Sequence, residues 1–255
     1  MISQKRLDEL RRELIKAQSE ISVALRTEKS RKRADMNRKV HVLRQMITPA
    51  YAYMSQAGQD AVVDGYFKQK TGGTFIDVGG YDGVTGSNTV FFEKWRGWSG
   101  ALVEPVERHL THAKTARSCT CLNYAVSDAV GTAEFITVTE GFTQMSGLSE
   151  TYNAGVLEKV RANPRHKETK VQVATKPLAA ILEEVGIEHP DFISLDIEGG
   201  ELAALQAFPF DKHTVGVWAI ENNTGSPEVS QLMRGHKYDL IDFCGPDEIY
   251  ALRKT

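Results

Sequence analysis

Cysteine is scarce in this chain of 255 residues, long apolar runs are absent, and no histidine pair has the HxH or HExxH spacing of a zinc site. Three cysteines are too few for a disulfide framework. Cys119 and Cys121 lie two apart in a predicted strand, so we expect buried free thiols and no zinc pair. No run approaches the roughly 18 apolar residues of a membrane span, and the first residues lead into charges. We therefore expect a cytoplasmic protein.

The sequence does contain an apolar strand that ends in an acid and a glycine-rich turn. Its polar and glycine positions are Asp77, Gly79, Gly80, Asp82 and Gly83. The GxGxxG fingerprint of nicotinamide dinucleotides is missing, because Tyr81 stands two positions after Gly79. A second predicted strand ends in Glu104, where an acid can take both hydroxyls of a ribose. This layout fits S-adenosylmethionine, which has no pyrophosphate, although such glycines can also simply turn a strand into a helix.

The N-terminal arm, residues 1–48, is basic, with 13 lysines and arginines against 6 aspartates and glutamates, and the remaining body is acidic. Apolar residues recur at steps of three and four from Leu7 to Ala24, which predicts a long exposed helix. The pattern breaks at 28–35 around the run Arg31-Lys32-Arg33, and solvated charge is the default explanation of that run. Three interpretations stay open: a coiled coil that makes a homo-oligomer, a helix packed on its own body or a partner, and an arm that contacts nucleic acid or an anionic membrane.

Residues 49–255 predict an α/β domain with a mostly parallel sheet covered by helices on both faces. We place its strands near 74–78, 100–104, 119–124, 191–196 and 215–221, followed by an antiparallel terminal pair near 238–243 and 248–253. The segment 131–176 interrupts this alternation with added strands around a polar stretch. We expect it to form an insertion or a lid.

The ends of the predicted strands carry polar residues, and open parallel sheets bind ligands at that edge. Asn123 follows the third strand and is a candidate partner for an adenine amino group, with Asp128 a weaker one; Asn123 can equally cap a turn. Asp196 and Glu198 follow the fourth strand and point the same way by strand alternation. We predict that they are catalytic, with Asp196 acting as general base on an acceptor hydroxyl or positioning it.

A metal role for part of this edge is the alternative. Asp196, Glu221 and Asn222 supply oxygen ligands of the kind that hold Mg²⁺, which would lower the pKa of an acceptor hydroxyl. The same groups can also satisfy backbone amides at strand ends and helix starts. The sequence leaves these alternatives open.

Three blocks together resemble the FkbM family of S-adenosylmethionine-dependent methyltransferases: residues 75–89 with 98–105, residues 123–128, and residues 191–201 with 218–222. The resemblance covers most of 58–253 and implies a class I methyltransferase fold, with Asp77, Gly79, Gly83 and Glu104 around the donor and Asp196 near the transferred methyl group. It also implies O-methylation, often of sugars or secondary metabolites. Gly80-Tyr81 stands where the family more often has Ala-Asn. The acids after the fourth and fifth strands also resemble metal-dependent O-methyltransferases, with Glu221 in place of their usual Asp.

We therefore predict an S-adenosylmethionine-dependent methyltransferase that acts on a hydroxyl of a sugar, a glycan or another small molecule. One alternative is a non-catalytic assembly protein that oligomerises through the arm and binds S-adenosylmethionine as a structural ligand. Another is a nucleic-acid methyltransferase recruited by the basic arm. The acidic body argues against nucleic acid, because phosphates require cations around the catalytic mouth.

Overall fold

Eleven strands and nine helices make up residues 2–254, the part of the chain that the computed structural model describes. The strands are β1 (Thr74–Val78), β2 (Ser99–Val103), β3 (Thr120–Leu122), β4 (Ala125–Val126), β5 (Gly131–Glu140), β6 (Gly147–Leu148), β7 (Lys167–Lys176), β8 (Phe192–Leu195), β9 (Val217–Glu221), β10 (Tyr238–Cys244) and β11 (Asp247–Leu252). The helices are α1 (Gln4–Ala24), α2 (Arg33–Ile47), α3 (Gln59–Tyr66), α4 (Val90–Arg96), α5 (Glu107–Ala116), α6 (Ala154–Arg161), α7 (Leu178–Val185), α8 (Glu201–Gln206) and α9 (Pro227–Gly235).

The main sheet has seven strands in the order β10-β11-β9-β8-β1-β2-β3. All of its strands are parallel except β11, which runs antiparallel to both of its neighbours. The predicted α/β fold with an antiparallel terminal pair is therefore confirmed, and each predicted strand lies within two residues of the observed one at either end.

The central strands are buried on both faces, as expected for a parallel sheet covered by helices. Ile76, Ile193 and Trp218 belong to the apolar core on one face, whereas Phe75 and Phe192 belong to the core on the other. Each of these side chains is fully buried. Continuous burial along β1, β8 and β9 fixes the relative positions of the strand ends, where the polar residues begin.

A smaller sheet follows β3, with the strand order β4-β7-β5-β6. Its long pair β5 and β7 is antiparallel and comes from the predicted insertion, whereas α6 between them was not predicted. Phe135 and Leu148 from this sheet pack with Val106 and Ala125 in a separate apolar cluster. The small sheet therefore forms an apolar wall beside the carboxyl edge of the main one.

Two of the three residues in the basic run of the arm, Arg31 and Arg33, are not solvated charge, contrary to the default prediction, whereas Lys32 is exposed. The Arg33 guanidinium donates to both carboxylate oxygens of Asp242, at 2.7 Å each. Arg31 donates to Glu248 at 2.6 Å and to the backbone carbonyl of Asn222. Bidentate arginine–carboxylate pairs are among the stronger polar contacts in proteins, so this run anchors the arm to the β10–β11 hairpin.

The arm forms two helices, α1 and α2, and the chain turns between them near the predicted break. Within α1 no residue is fully buried, and Leu7, Ile15 and Val23 each expose 45% or more of their surface. By contrast, α2 contacts β10 and buries Val40 and His41. None of the helices within residues 2–254 has the length and apolarity needed to cross a bilayer.

Candidate active site

A cavity of about 250 Å³ opens at the carboxyl ends of β1, β2, β8 and β9. The chain leaves β1 toward β2 on one side, and β8 pairs with β1 on the other, so the cavity lies where the strand order reverses. Of the predicted site residues, the lining includes Asp77, Gly79, Gly80, Glu104, Asp196, Glu198 and Glu221.

Two glycines after β1 let neighbouring strands approach at this edge. Gly79 has a φ of 81°, and a Cβ on it would lie 1.7 Å from the backbone oxygen of Asp196. A Cβ on Gly80 would lie 2.4 Å from the side chain of Leu102. Both positions therefore exclude any larger residue, and the glycines hold the end of β8 close to the end of β1.

Asp77 is buried and fixes the loop that leads into α4. Its Oδ2 accepts hydrogen bonds from Thr89 at 2.5 Å and from Ser87 at 3.2 Å. The fully buried guanidinium of Arg117 lies 3.6 Å from the same oxygen and balances its charge. Sequence reasoning missed Arg117, because its pairing joins residues 40 positions apart.

Glu104 ends β2 and is also buried. Its carboxylate oxygens accept the backbone N–H groups of Tyr81 at 3.0 Å and Val106 at 2.8 Å. A carboxylate has about four acceptor sites, so lone pairs remain for two hydroxyls. Tyr81 has a φ of 49°, and its hydroxyl hydrogen bonds to Thr143 at 2.8 Å, which ties the loop between β5 and β6 to the glycine turn.

Asn88 is a polar residue of the cavity wall that sequence reasoning did not place in the site. Its side-chain nitrogen donates to Ser194 at 3.0 Å, whereas its Oδ1 is buried and has no partner within residues 2–254. A buried acceptor without a donor costs about 1–3 kcal/mol. The cavity therefore suits a ligand with an N–H or ammonium donor beside Asn88.

Three carboxylates meet at the ends of β8 and β9. One oxygen from each of Asp196, Glu198 and Glu221 lies within 4.8 Å of the others. Burial and then the neighbouring Asp196 raise the pKa of Glu198 to about 9. Burial, together with the surrounding carboxylates, also raises the pKa of Asp196 and of Glu221 well above the usual range.

The turn that carries this cluster is strained. Glu198 has a φ of 60°, in the left-handed region where a side chain costs roughly 1–2 kcal/mol. Glu201 holds the turn, because its carboxylate accepts the N–H groups of Ile197 and Gly199. A residue with a carboxylate side chain in a strained turn of a cavity wall is typical of a functional site.

Four predicted donor-binding residues do not line the cavity. Asp82 closes a local turn by accepting the N–H groups of Val84 and Thr85, and Gly83 packs against Arg117 and Ala113. Asn123 donates both amide hydrogens to the carbonyls of Glu104 and Pro105. Asp128 is exposed and accepts a hydrogen bond from Ser127.

Asn222 is not brought to the acidic group either. Its amide nitrogen donates to Ser226 and Glu248, and its oxygen accepts from Thr224 and Ser226. Glu198 takes the third place beside Asp196 and Glu221 instead.

The chain resembles known proteins both in sequence and in structure. A family model described as Methyltransferase FkbM domain matches residues 77–240. No curated protein sequence matches the chain significantly. Among solved structures, a methyltransferase FkbM from Methylobacillus flagellatus KT is 15% identical with a TM-score of 0.46, and the alignment covers 93% of this chain but only 58% of that one.

Two further solved structures resemble the chain over most of both lengths. A TehB-like SAM-dependent methyltransferase from Corynebacterium glutamicum ATCC 13032 Kitasato is 11% identical with a TM-score of 0.41, covering 83% of this chain and 96% of that one. A methyltransferase from Pyrococcus furiosus is 12% identical with a TM-score of 0.39, covering 84% and 98%.

Proposed function

The chain belongs to the FkbM methyltransferase family, and from that premise we propose that it transfers a methyl group from S-adenosylmethionine to a hydroxyl of a sugar or another small molecule. One observation carries the proposal: a single cavity contains a buried acid at the end of β2 and a group of carboxylates with raised pKa at the ends of β8 and β9. The buried acid at the end of β2 can accept hydrogen bonds from the hydroxyls of a ribose. The group of carboxylates can accept the proton that an acceptor hydroxyl must lose.

The residues around the glycine turn would hold the donor. Glu104 has free lone pairs for the ribose hydroxyls, and the unpartnered Oδ1 of Asn88 suits the ammonium of the methionine end. Phe135 and Leu148 from the small sheet line the cavity with apolar surface, which would help to exclude water from a bound donor. When bound, S-adenosylmethionine supplies a methyl group on a positively charged sulfur, which is already activated for transfer.

Asp196 would take the proton from the acceptor hydroxyl. A general base works best when its pKa is near the working pH, and burial beside other carboxylates raises the pKa of Asp196 in that direction.

The loop between β5 and β6, residues 141–146, would act as a lid, because Thr143 and Gln144 contact the glycine turn and its following loop.

As the alternative to a proton-accepting Asp196, the carboxylates of Asp196, Glu198 and Glu221 would hold a divalent cation such as Mg²⁺, in place of the predicted set with Asn222. All three ligands are carboxylates, and none of the ion pairs within residues 2–254 joins them to a lysine or arginine. A cation there would relieve their repulsion and lower the pKa of a bound hydroxyl.

The cation leads to a prediction about stability and pH. Glu198 has a pKa of about 9 in the folded chain against 4.5 for an ordinary glutamate, so folding takes up a proton between these values. Without divalent cations, we expect the free energy of unfolding to fall as the pH rises from 5 to 9, and Glu198→Gln to reduce that slope. At pH 8, Mg²⁺ should raise the Tm of the wild type but not of Glu198→Gln, measured by calorimetry.

Glu183→Gln is the matched control for that experiment, because Glu183 is exposed on α7 and pairs with Lys212. It should respond to Mg²⁺ as the wild type does. If Mg²⁺ does not change the Tm of the wild type at pH 8, the cation is excluded from the proposal. The proton-accepting role of Asp196 would remain.

The acceptor class is tested by supplying S-adenosylmethionine with a labelled methyl group to panels of sugars, small hydroxyl compounds, RNA and DNA. We expect label on a hydroxyl compound, released by reagents that cleave ethers and not by those that cleave esters. Label on nucleic acid would instead favour the alternative in which the arm recruits a polyanion. Arg31 and Arg33 argue against that alternative, because both are occupied by the β10–β11 hairpin.

We also propose that the chain forms a homo-oligomer through its N-terminal arm, where α1 exposes Leu7, Ile15 and Val23. The double substitution Leu7→Asp and Ile15→Asp should reduce the molar mass in light scattering to that of one chain, because burying an unpaired charge in an interface is costly. The double substitution Lys5→Asp and Lys16→Asp on exposed polar positions is the control. An unchanged mass in the first variant would exclude α1 as the interface.

A further inference from the structure

Arg38 is an unexpected member of the cavity wall. The lining carries six carboxylates, at positions 77, 104, 196, 198, 221 and 247, and Arg38 is the single lysine or arginine among the lining residues. It comes from α2, which lies outside the family match over residues 77–240. A basic residue in the wall of an acidic cavity requires an explanation.

The fold directs Arg38 to this place. Arg33, at the start of α2, pairs with Asp242, and Asn37, the residue before Arg38, donates to the carbonyl of Phe243, so α2 is held against the β10–β11 hairpin. The Arg38 Nη2 reaches the hairpin turn, where a Cβ on Gly245 would lie only 2.7 Å from it. Within residues 2–254, Arg38 takes part in none of the ion pairs, although Arg31 just before α2 and Arg33 at its start both do.

Asp247 connects Arg38 to Asn88. Its Oδ2 accepts from Gln59 at 3.0 Å and lies 3.4 Å from the Asn88 nitrogen. The Arg38 charge acts on the same carboxylate and opposes the rise in its pKa that burial causes. Arg38, which forms no ion pair within residues 2–254, and Asn88 with its unpartnered Oδ1 therefore both line the cavity, and both act on Asp247.

We propose that Arg38 and Asn88 together recognise an α-amino acid group, with Arg38 binding the carboxylate and Asn88 Oδ1 accepting from the ammonium. The inference rests on the proposed function, because the methionine end of S-adenosylmethionine is such a group. An acceptor oxygen and a guanidinium are the two partners that a zwitterion needs. The second arm helix is then part of the donor site.

The test compares two ligands by calorimetry on the full chain. S-adenosylhomocysteine carries the amino acid group, whereas 5′-methylthioadenosine keeps the nucleoside and the thioether but lacks that group. Arg38→Met should weaken S-adenosylhomocysteine about tenfold, as expected for one lost charge-assisted contact, and leave methylthioadenosine unchanged. Arg38→Lys should recover part of the loss, because it restores the charge without the planar fork.

Lys39→Met is the matched control. Lys39 is the next residue of α2, is 59% exposed, and pairs with Asp35 away from the cavity, so its loss should change neither affinity. If Arg38→Met binds S-adenosylhomocysteine as tightly as the wild type, or loses both ligands equally, the amino acid site is overturned and the proposed function stands. If the wild type binds neither ligand, the proposed function itself fails.

Discussion

Replacing Asp196 by asparagine is expected to lower kcat at least about a hundredfold, the loss typical when a general base is removed. The change keeps the size of the side chain and removes only the group that accepts the proton. Donor affinity should change less than threefold, because Asp196 lies on the acceptor side of the proposed site. The measurements are methyl transfer to the acceptor identified by the panel and calorimetry with S-adenosylhomocysteine.

Thermal stability separates catalysis from folding in this variant. Asp196 shares its surroundings with Glu198 and Glu221. Burial raises the pKa of all three carboxyl groups, and the charge of Asp196 adds to the rise at Glu198 and Glu221. Asparagine removes one charge from that group, so the Tm at pH 8 should stay level or rise. Asp211→Asn on the exposed surface is the control for activity. Turnover in Asp196→Asn within a factor of two of the wild type would contradict the assignment of the base.

Replacing Glu104 by glutamine is expected to weaken S-adenosylhomocysteine about thirtyfold, or roughly 2 kcal/mol, the size of a hydrogen bond to a charged group. Glutamine keeps one acceptor oxygen but turns the other position into a donor. The new amide NH₂ faces the backbone N–H of Tyr81 or Val106, which is also a donor, so that hydrogen bond is lost. The NH₂ also cannot accept a hydrogen bond from a ribose hydroxyl. The affinity is measured by calorimetry, with 2′-deoxy and 3′-deoxy analogues to show which hydroxyls depend on Glu104.

The control for this variant is Glu107→Gln, three residues further along on the exposed start of α5. It should bind the donor product normally. Because Glu104 also supports the loop after β2, the Tm of Glu104→Gln must be recorded beside the affinity. Unchanged affinity in a folded Glu104→Gln protein would remove Glu104 from the donor site.

The sequence predicted the main sheet well, because strands buried on both faces read as short apolar runs bounded by glycine and acids. The runs that became β1 and β8 are of this kind, and their ends bring Asp77, Gly79 and Asp196 to one edge. The small sheet was predicted only in part. Its two-residue strands β4 and β6 are too short to leave a periodic pattern.

The arrangement within the site was harder to predict, since it depends on turns and long-range contacts. Strand alternation suggested that Asp196 and Glu198 share a direction, but the positive φ at Glu198 is a property of the folded turn. Asn222 follows Glu221 directly, yet its amide hydrogen bonds to Ser226 and Glu248.

The arm shows the same limit more clearly. The sequence predicted that Arg31 and Arg33 are solvated, because no neighbouring residue in the sequence indicates that Glu248 and Asp242 lie opposite them in the fold. The placement of Arg38 at the cavity follows from that docking. Contacts between residues some 200 positions apart leave no signal in a single sequence.

A crystal structure of the full chain with S-adenosylhomocysteine tests the central claim most directly. We predict that the ligand occupies the cavity at the ends of β1, β2 and β8, with both ribose hydroxyls about 3 Å from the Glu104 carboxylate and the amino acid group between Asn88 and Arg38. The thioether sulfur should face Asp196. A ligand bound elsewhere, or a cavity closed by side chains with Glu104 turned away from the ribose, would contradict the account.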